Sequence, residues 1–168
     1  MQAEIVRFVP SNLKVIDAAL KLAEIRTGKD VFYELGSGDG RGVIGAVQPP
    51  YNAKKAVGFE TKPFLVELSS DYVRQRNLQD KVEIRNQDFQ ESNLSEADVV
   101  YMYIGEVPTE KVRPKLEDEL KLSSRVVSHC YEVVGWKPSK TVEVVAPKGD
   151  KGPLTFRRIY LYRMDEIY

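Results

Sequence analysis

Residues that build thiol and metal chemistry are almost absent from this sequence. Its 168 residues include one cysteine, Cys130, and one histidine, His129. A single cysteine cannot form an internal disulfide, and one adjacent histidine matches no zinc-ligand spacing. We therefore expect no bound metal. We expect both side chains to be structural and to point to opposite faces of one strand.

The chain also lacks an excess of charge of either sign. It carries 25 acidic and 25 basic residues, so no overall field would draw it to nucleic acid or to an anionic membrane. Nucleic acid is therefore not indicated as a partner, and the function has to be sought in local motifs.

Long apolar runs are missing as well. The first residues, MQAEIVRFVPS, lack the basic and then apolar pattern of a secretory signal peptide. We predict a cytoplasmic protein that does not enter a membrane, and we expect a monomer. Hydrophobic residues make up 42% of the chain, which is enough for one core, so residues 1–168 should form a single domain.

Short β-branched runs alternate with amphipathic stretches, a pattern typical of α/β proteins. Helices are expected at residues 12–25, 43–47, 63–76 and 109–120, and strands at 30–35, 55–60, 82–85, 97–104, 125–131, 140–146 and 155–163. Ser11 is the expected N-cap of the first helix. The last two strands are joined only by a turn, so they should form an antiparallel hairpin. The pattern predicts a doubly wound, mostly parallel, seven-stranded sheet with an antiparallel last strand.

A glycine-rich turn follows the first predicted strand. The segment from Glu34 to Gly40 is ELGSGDG, and its missing side chains would let a ligand lie against bare backbone. Doubly wound sheets bind ligands beyond the carboxyl ends of their strands, at the point where the strand order reverses, which falls at this turn. The GxGxG spacing differs from the GxGxxG of dinucleotide-binding proteins, so a nicotinamide cofactor is not expected.

Acidic side chains follow the next two strands. Glu60 ends the second strand, twenty residues after Gly40, where a carboxylate can accept both hydroxyls of a ribose. Asp88 and Phe89 follow the third strand, so the carboxylate can accept from an adenine amino group while the ring packs on the base. The alternatives are a surface acid at Glu60 and a loop acid beside a core aromatic at Asp88.

Together these motifs carry a resemblance. ELGSGDGR, GFE and QDF at successive strand ends resemble the nucleoside-binding motifs of class I S-adenosylmethionine-dependent methyltransferases. The segments FVPS, KKAVGFE, PKLEDEL and RVVSHCYEVVGWKP are similar to the small archaeal protein lysine methyltransferases, relatives of the mitochondrial lysine methyltransferases. The resemblance implies a Rossmann-like fold, S-adenosylmethionine as cofactor, and protein substrates with exposed lysines.

The resemblance also assigns roles to individual residues. The methionine part of the cofactor would be held by the first strand end and its turn, namely Glu34, Gly36, Ser37, Gly38, Asp39 and Gly40. Glu60 would hold the ribose, and Asp88 with Phe89 the adenine. Residues 1–28 would form an N-terminal lid segment and the first helix, beside a sheet core at 29–168. Ser11 in this lid offers its hydroxyl either to the first helix or to the methionine carboxylate.

The region after the fourth strand departs from the related enzymes. Ile104-Gly-Glu-Val-Pro stands where enzymes of this fold that methylate nucleic-acid amino groups carry Asn/Asp-Pro-Pro-aromatic. The archaeal lysine enzymes tend to carry small polar residues there, whereas this chain has two tyrosines, a glycine and a glutamate. Three functions therefore stay open: a protein lysine methyltransferase, a methyltransferase acting on RNA or a small metabolite, and a non-enzymatic module that binds S-adenosylmethionine.

If the substrate is a lysine, a narrow channel around its amine could replace a dedicated base that removes the proton. Apolar or aromatic walls lower the pKa of a lysine amine because they disfavour the ammonium form, and aromatic faces attract cations. The candidate walls are Phe8, Tyr101, Tyr103 and Trp136, each of which core packing explains equally well. Tyr101 and Tyr103 lie two apart on one strand and so should face the same way.

Overall fold

The structure is a computed structural model, and it describes residues 8–168. Helices and strands alternate along the chain. The helices are α1 (Leu13–Leu22), α2 (Arg41–Val47), α3 (Pro63–Gln75) and α4 (Glu106–Glu119), with a short 3-10 turn at Phe89–Glu91. The strands are β1 (Val31–Leu35), β2 (Lys55–Glu60), β3 (Val82–Asn86), β4 (Val99–Met102), β5 (Arg125–His129), β6 (Lys140–Pro147) and β7 (Leu154–Arg163).

The seven strands form one sheet in the order β3-β2-β1-β4-β5-β7-β6. The pairs β3·β2, β2·β1, β1·β4 and β4·β5 are parallel, whereas β7 runs antiparallel to both β5 and β6. This arrangement confirms the predicted mostly parallel sheet with an antiparallel last strand. The strand order reverses between β1 and β4, so the carboxyl end of β1 is the expected ligand site.

Two apolar layers cover the sheet. On one face, α1, α2 and α3 pack on alternate residues of the central strands, such as Phe32, Val99 and Val127. On the other face, α4 packs on the intervening residues, such as Tyr33 and Val100. Because successive side chains of a strand point to opposite faces, each central strand contributes to both layers.

The first helix begins one residue later than its sequence indicates. Asn12 is its N-cap, and Asn12 Oδ1 accepts a hydrogen bond from Lys14 N at 3.0 Å. The expectation that Ser11 caps this helix is therefore wrong. Asparagine and serine are equally good N-caps, so composition does not distinguish the two positions. The Ser11 hydroxyl is left available for other contacts.

Two strand ends also differ from expectation, and both bear on the site. β4 ends at Met102, so Tyr103 lies just beyond its carboxyl end, and α4 begins at Glu106 rather than at 109. β5 ends at His129 because Cys130 has a φ of 70°, a left-handed conformation that cannot continue a strand. His129 is therefore not in the middle of its strand but at the edge of the sheet where ligands bind.

Within the described residues, no helix is both long enough and apolar enough to cross a membrane.

Candidate functional site

A cavity of about 690 Å³ lies at the carboxyl ends of β1, β2 and β4, under the N-terminal strip of residues 8–11. Most of the predicted site residues line it: Phe8, Ser11, Glu34, Gly36, Ser37, Gly38, Asp39, Glu60, Phe89 and Tyr103. Parallel strands end at one edge of a sheet, which is why these side chains meet although they are far apart in sequence.

The glycine turn forms the floor of this cavity. Gly36, Gly38 and Gly40 have φ values of 72°, 56° and 83°, in the left-handed region that L-residues rarely adopt. The Phe8 ring lies directly on Gly38, at a distance that leaves no room for a side chain there. Gly40 does not line the cavity but packs against Ser69 of α3. The turn therefore presents bare main chain to whatever occupies the cavity.

Glu60 ties this turn to the end of β2. Its Oε2 accepts from Gly38 N at 2.9 Å and its Oε1 from Lys62 N at 3.0 Å. The residue is 8% exposed, and it lines the cavity. Each carboxylate oxygen has a second lone pair, so Glu60 can hold the turn and accept further donors from a ligand at the same time.

Glu34 supplies a second carboxylate below the turn. Its Oε2 accepts from Val43 N in the first turn of α2 at 3.1 Å. Gly42 makes room for it, because a Cβ at that position would collide with the carboxylate. Burial, followed by the repulsion of Asp39, raises the pKa of Glu34 well above its ordinary value. A cationic ligand group placed beside Glu34 would favour its ionised form.

Arg41 joins three segments around the cavity mouth. It forms an ion pair with Asp39 of the turn and another with Asp150 in the β6–β7 loop, each at 2.7 Å. Its Nη1 also donates to Ser11 O at 3.0 Å. Asn12 Nδ2 adds a hydrogen bond to Gly149 O at 2.9 Å. The N-terminal strip is thus held against both the glycine turn and the hairpin loop, while residues 1–7 of the predicted lid lie outside the described residues.

Ser11 and Tyr101 meet His129 at the far wall. The Tyr101 hydroxyl lies 3.2 Å from His129 Nδ1 and 3.3 Å from Ser11 Oγ. Tyr101 is 3% exposed and does not line the cavity, so its place is behind the wall rather than in a channel. His129 thus contacts two predicted site residues directly.

The His129 ring is buried and neutral. Burial and the nearby Arg157 guanidinium lower the pKa of His129 to about 3. In the unfolded chain the pKa would be about 6.5. Because the unfolded chain binds a proton below pH 6.5 and the folded chain does not until about pH 3, stability is lost as the pH falls through this window.

We therefore predict an acid-sensitive contribution from His129. Between pH 7 and pH 5.5, the free energy of unfolding should fall by about 1 kcal/mol more in the parent protein than in His129→Gln. Glutamine cannot titrate but still offers a polar partner to Tyr101. Urea titrations at the two pH values measure the difference, and identical losses in both proteins would show that folding leaves the pKa of His129 unchanged.

Aromatic rings form the opposite end of the cavity. The Tyr103 ring stacks on His129 with centroids 4.0 Å apart and on Tyr131 at 6.2 Å. Arg157 Cζ lies 6.0 Å from the Tyr103 centroid. Tyr103 and Tyr131 both line the cavity. Sequence reasoning missed Tyr131, Arg41 and Lys148 as lining residues. Arg41 stands within ELGSGDGR and Tyr131 within RVVSHCYEVVGWKP, whereas Lys148 lies in none of the quoted motifs.

Besides Gly40 and Tyr101, two further predicted residues do not reach the cavity. Trp136 is 6% exposed and packs edge-on against Tyr162 in the α4 layer, with its Nε1 donating to Glu117. It is therefore a core residue, and the expectation that it forms a channel wall is wrong. Asp88 caps the 3-10 turn by accepting from Gln90 N at 2.8 Å. Its neighbour Phe89 lines the cavity, but Asp88 does not.

Comparison with known proteins shows which family the chain belongs to. A family model described as the ANTKMT methyltransferase domain matches residues 34–140, which include the glycine turn, β2, β4 and β5. The chain belongs to this family. The predicted relationship to class I methyltransferases is thereby confirmed, and the chain is a methyltransferase.

Two curated relatives extend the match. The chain is 35% identical over 161 residues to a protein-lysine N-methyltransferase of Saccharolobus islandicus (strain REY15A), covering 96% of this chain and 95% of that protein. It is 29% identical over 137 residues to the adenine nucleotide translocase lysine N-methyltransferase of Mus musculus. That alignment covers 82% of this chain and 58% of the mouse protein.

Solved structures give the same fold under differing names. An RNA methyltransferase from Salinibacter ruber in complex with S-adenosyl-L-homocysteine superposes with a TM-score of 0.83 at 34% identity, covering 95% of this chain and 96% of that one. A precorrin-6y C5,15-methyltransferase from Geobacter metallireducens reaches a TM-score of 0.73 at 16% identity, covering 96% and 91%. The second likeness shows the fold alone.

Proposed function

We propose that this methyltransferase transfers a methyl group from S-adenosylmethionine to lysine side chains of proteins. One observation carries the proposal: the chain matches a protein-lysine N-methyltransferase along almost its whole length. The cavity geometry agrees with it, because a carboxylate-rich glycine turn lies at one end and stacked tyrosines lie at the other.

The cofactor fits the turn end of the cavity. Glu34, with Gly36, Ser37, Gly38 and Asp39, would hold the methionine part, and Ser11 and Gly40 would support it from the strip and from below. Glu60 would accept from the ribose hydroxyls, and Phe89 would pack on the adenine. Asp88 would support it by capping the 3-10 turn that carries Phe89. When bound, S-adenosylmethionine supplies a methyl group on a sulfonium, so the protein has chiefly to place a nucleophile in line with it.

The tyrosine end of the cavity would then receive the amine. Tyr103 and Tyr131, with the Phe8 ring above the turn, present aromatic surface that disfavours a hydrated ammonium and so lowers the pKa of an entering lysine. The same ring faces attract the cationic methylated product. His129 is neutral, and its Nδ1 lies next to the Tyr101 hydroxyl. Its role would be to hold Tyr101 in place behind the cavity, not to accept a proton from the lysine. No covalent intermediate on the protein is needed.

RNA is the second candidate substrate, because the Salinibacter ruber protein is named an RNA methyltransferase at a similar identity. Against it, the chain has no net charge, whereas proteins that bind nucleic acid usually present a basic surface. We further propose that the protein acts in the cytoplasm, as a monomer, in line with the expectation from its sequence.

Partition of a labelled methyl group tests the proposal. The protein is incubated with radiolabelled S-adenosylmethionine and cell extract, and portions are then treated with protease or with nuclease. We expect acid-precipitable label that protease removes and nuclease leaves. Label that nuclease removes would instead support the RNA candidate, and tight cofactor binding with no transfer to either fraction would indicate a non-enzymatic module.

A further inference from the structure

The β6–β7 hairpin extends beyond the rest of the sheet. β5 pairs with β7 only as far as His129 opposite Ile159, whereas β6 and β7 continue to Pro147 opposite Leu154. Residues 154–158 therefore project past the carboxyl end of β5, by about 17 Å at the usual rise per residue. This is the end of the sheet at which the cavity opens.

The main-chain hydrogen bonds show which residues of β7 face which neighbour. Lys148 N donates to Pro153 O at 2.9 Å, so the odd-numbered residues direct their N–H and C=O groups towards β6. Cys130 N donates to Arg158 O at 2.8 Å, so the even-numbered residues face the side of β5.

Beyond Arg158, the even-numbered residues are Phe156 and Leu154. Along residues 8–168 no main-chain or side-chain group bonds to their N–H and C=O groups on the β5 side. A strand edge in this condition is a template for another extended chain, and proteins usually block it with charge, proline or a covering element. Among the residues that the structure describes, none pairs with this edge.

The chain that follows β5 does not continue beside this edge. At Cys130 the left-handed backbone turns the chain away from β7, and the Ser128 hydroxyl fixes the turn by donating to Tyr131 O at 2.5 Å. Val133, which follows, is buried in the α4 layer. Along residues 8–168, therefore, no strand continues β5 beside Leu154 and Phe156.

The side chains along this edge are apolar and exposed. Phe156 is 66% exposed, Leu154 is 73% exposed, and Val145, which pairs with Phe156, is 44% exposed. The three share one face of the hairpin, because Pro147 opposite Leu154 and Val145 opposite Phe156 are two residues apart on both strands. Such a patch is unusual on a free surface and is typical of binding sites.

The edge is continuous with the aromatic end of the cavity. Arg158 O, at the start of this edge, accepts from Cys130 N at 2.8 Å, and Tyr131, which follows Cys130, lines the cavity. A chain added beside Phe156 would occupy the next strand position towards β4, about 4.8 Å away. That position would continue the line of β5, whose end lies two residues before Tyr131.

We propose that the β7 edge at Leu154–Phe156 binds the protein substrate as an added β-strand and so delivers a lysine to the cavity. The inference rests on the proposed function and specifies the form of its substrate: an extended segment with an apolar residue near the target lysine. Main-chain hydrogen bonds give such a complex its affinity and neighbouring side chains its specificity. The N–H and C=O groups along this edge are spaced as in a β-strand and so match those of an extended polypeptide. A phosphodiester backbone has no N–H donors to pair with them.

Three acceptors and two variants test the proposal, with labelled S-adenosylmethionine as donor. The acceptors are reduced and carboxymethylated lysozyme, native lysozyme, and an N-acetyl-lysine amide too small to form a strand. Phe156→Pro removes the N–H that faces the open edge and spares the bonds to β6. Phe156→Thr keeps that N–H and loses only the ring.

We expect the unfolded lysozyme to be methylated at least about tenfold better than the native form, because extended segments are free to pair. Phe156→Pro should lower kcat/KM for the unfolded lysozyme about tenfold, mainly through KM, which is the scale of one to two lost hydrogen bonds. Phe156→Thr should lose less. The small acceptor should be methylated equally by all three proteins.

Equal loss in both variants would assign the effect to the ring and overturn strand addition, as would equal methylation of folded and unfolded lysozyme. If Phe156→Pro does not fold, amide exchange of the parent protein decides: Phe156 and Leu154 N–H should exchange more slowly with unfolded lysozyme present. If the parent protein is a dimer in solution and Phe156→Pro is a monomer, the edge binds a second copy of the chain, which would overturn the proposal. Transfer to total transfer RNA with no label in any lysine acceptor would refute the proposed function itself, whereas lysine methylation independent of Phe156 would refute only this inference.

Discussion

Asp30→Ala should lower the free energy of unfolding by about 3–5 kcal/mol, the usual cost of leaving one partner of a buried ion pair alone. Asp30 is completely buried, and its carboxylate accepts from Arg125 and from Arg26 N at 2.8 Å. Arg125 is 5% exposed and also donates to Ala23 O at 2.9 Å, at the end of α1. Removing the carboxylate leaves the Arg125 guanidinium buried without its anionic partner.

The matched control is Asp71→Ala, which removes an exposed ion pair with Arg74 on α3. It should cost less than about 1 kcal/mol, because exposed pairs are weak. Chemical denaturation of both variants measures the contrast. A loss of under about 1 kcal/mol for Asp30→Ala would mean that water reaches Arg125 and that this end of the sheet is not closed.

Glu60→Ala should weaken binding of S-adenosylhomocysteine by about 1.5–3 kcal/mol, the range for hydrogen bonds to a charged group. This corresponds to roughly a tenfold to more than a hundredfold rise in Kd. Part of the effect would come from the glycine turn, because Glu60 Oε2 also holds Gly38 N at 2.9 Å. Folding should survive, since the main-chain bonds and the apolar packing of β2 do not involve the Glu60 carboxylate.

The control for Glu60 is Glu67→Ala, an exposed acid on α3 that does not line the cavity. Calorimetric titration should give the parent affinity for this variant. Parent affinity in Glu60→Ala as well would show that the carboxylate does not contact the ribose and that its role ends at the turn.

Sequence patterns predict this fold best where pattern and packing agree. The bounds expected for β2 are the observed ones, because the apolar run KAVGFE is buried on both faces and ends at a carboxylate. The glycine turn, Glu60 and Phe89 can be brought together from sequence alone, because parallel strands of a doubly wound sheet end at one edge.

Contacts between distant segments are beyond the reach of sequence patterns. Nothing local distinguishes Trp136, which packs in the α4 layer, from an aromatic residue at a site rim. The end of β5 depends on the left-handed backbone at Cys130, a conformation uncommon outside glycine and asparagine. That turn places His129 beside Tyr101 and ends the pairing of β5 with β7 before Phe156, and no residue pattern indicates either.

The identity of the methylated residue tests the central claim most directly. Protein labelled with radioactive S-adenosylmethionine is hydrolysed completely, and the amino acids are separated beside standards of methylated lysine, arginine and histidine. The account predicts that the label elutes with methylated lysines, and that Glu60→Ala reduces it at limiting cofactor. Label that elutes with methylarginine or methylhistidine, or that appears only in methylated nucleosides, would contradict it.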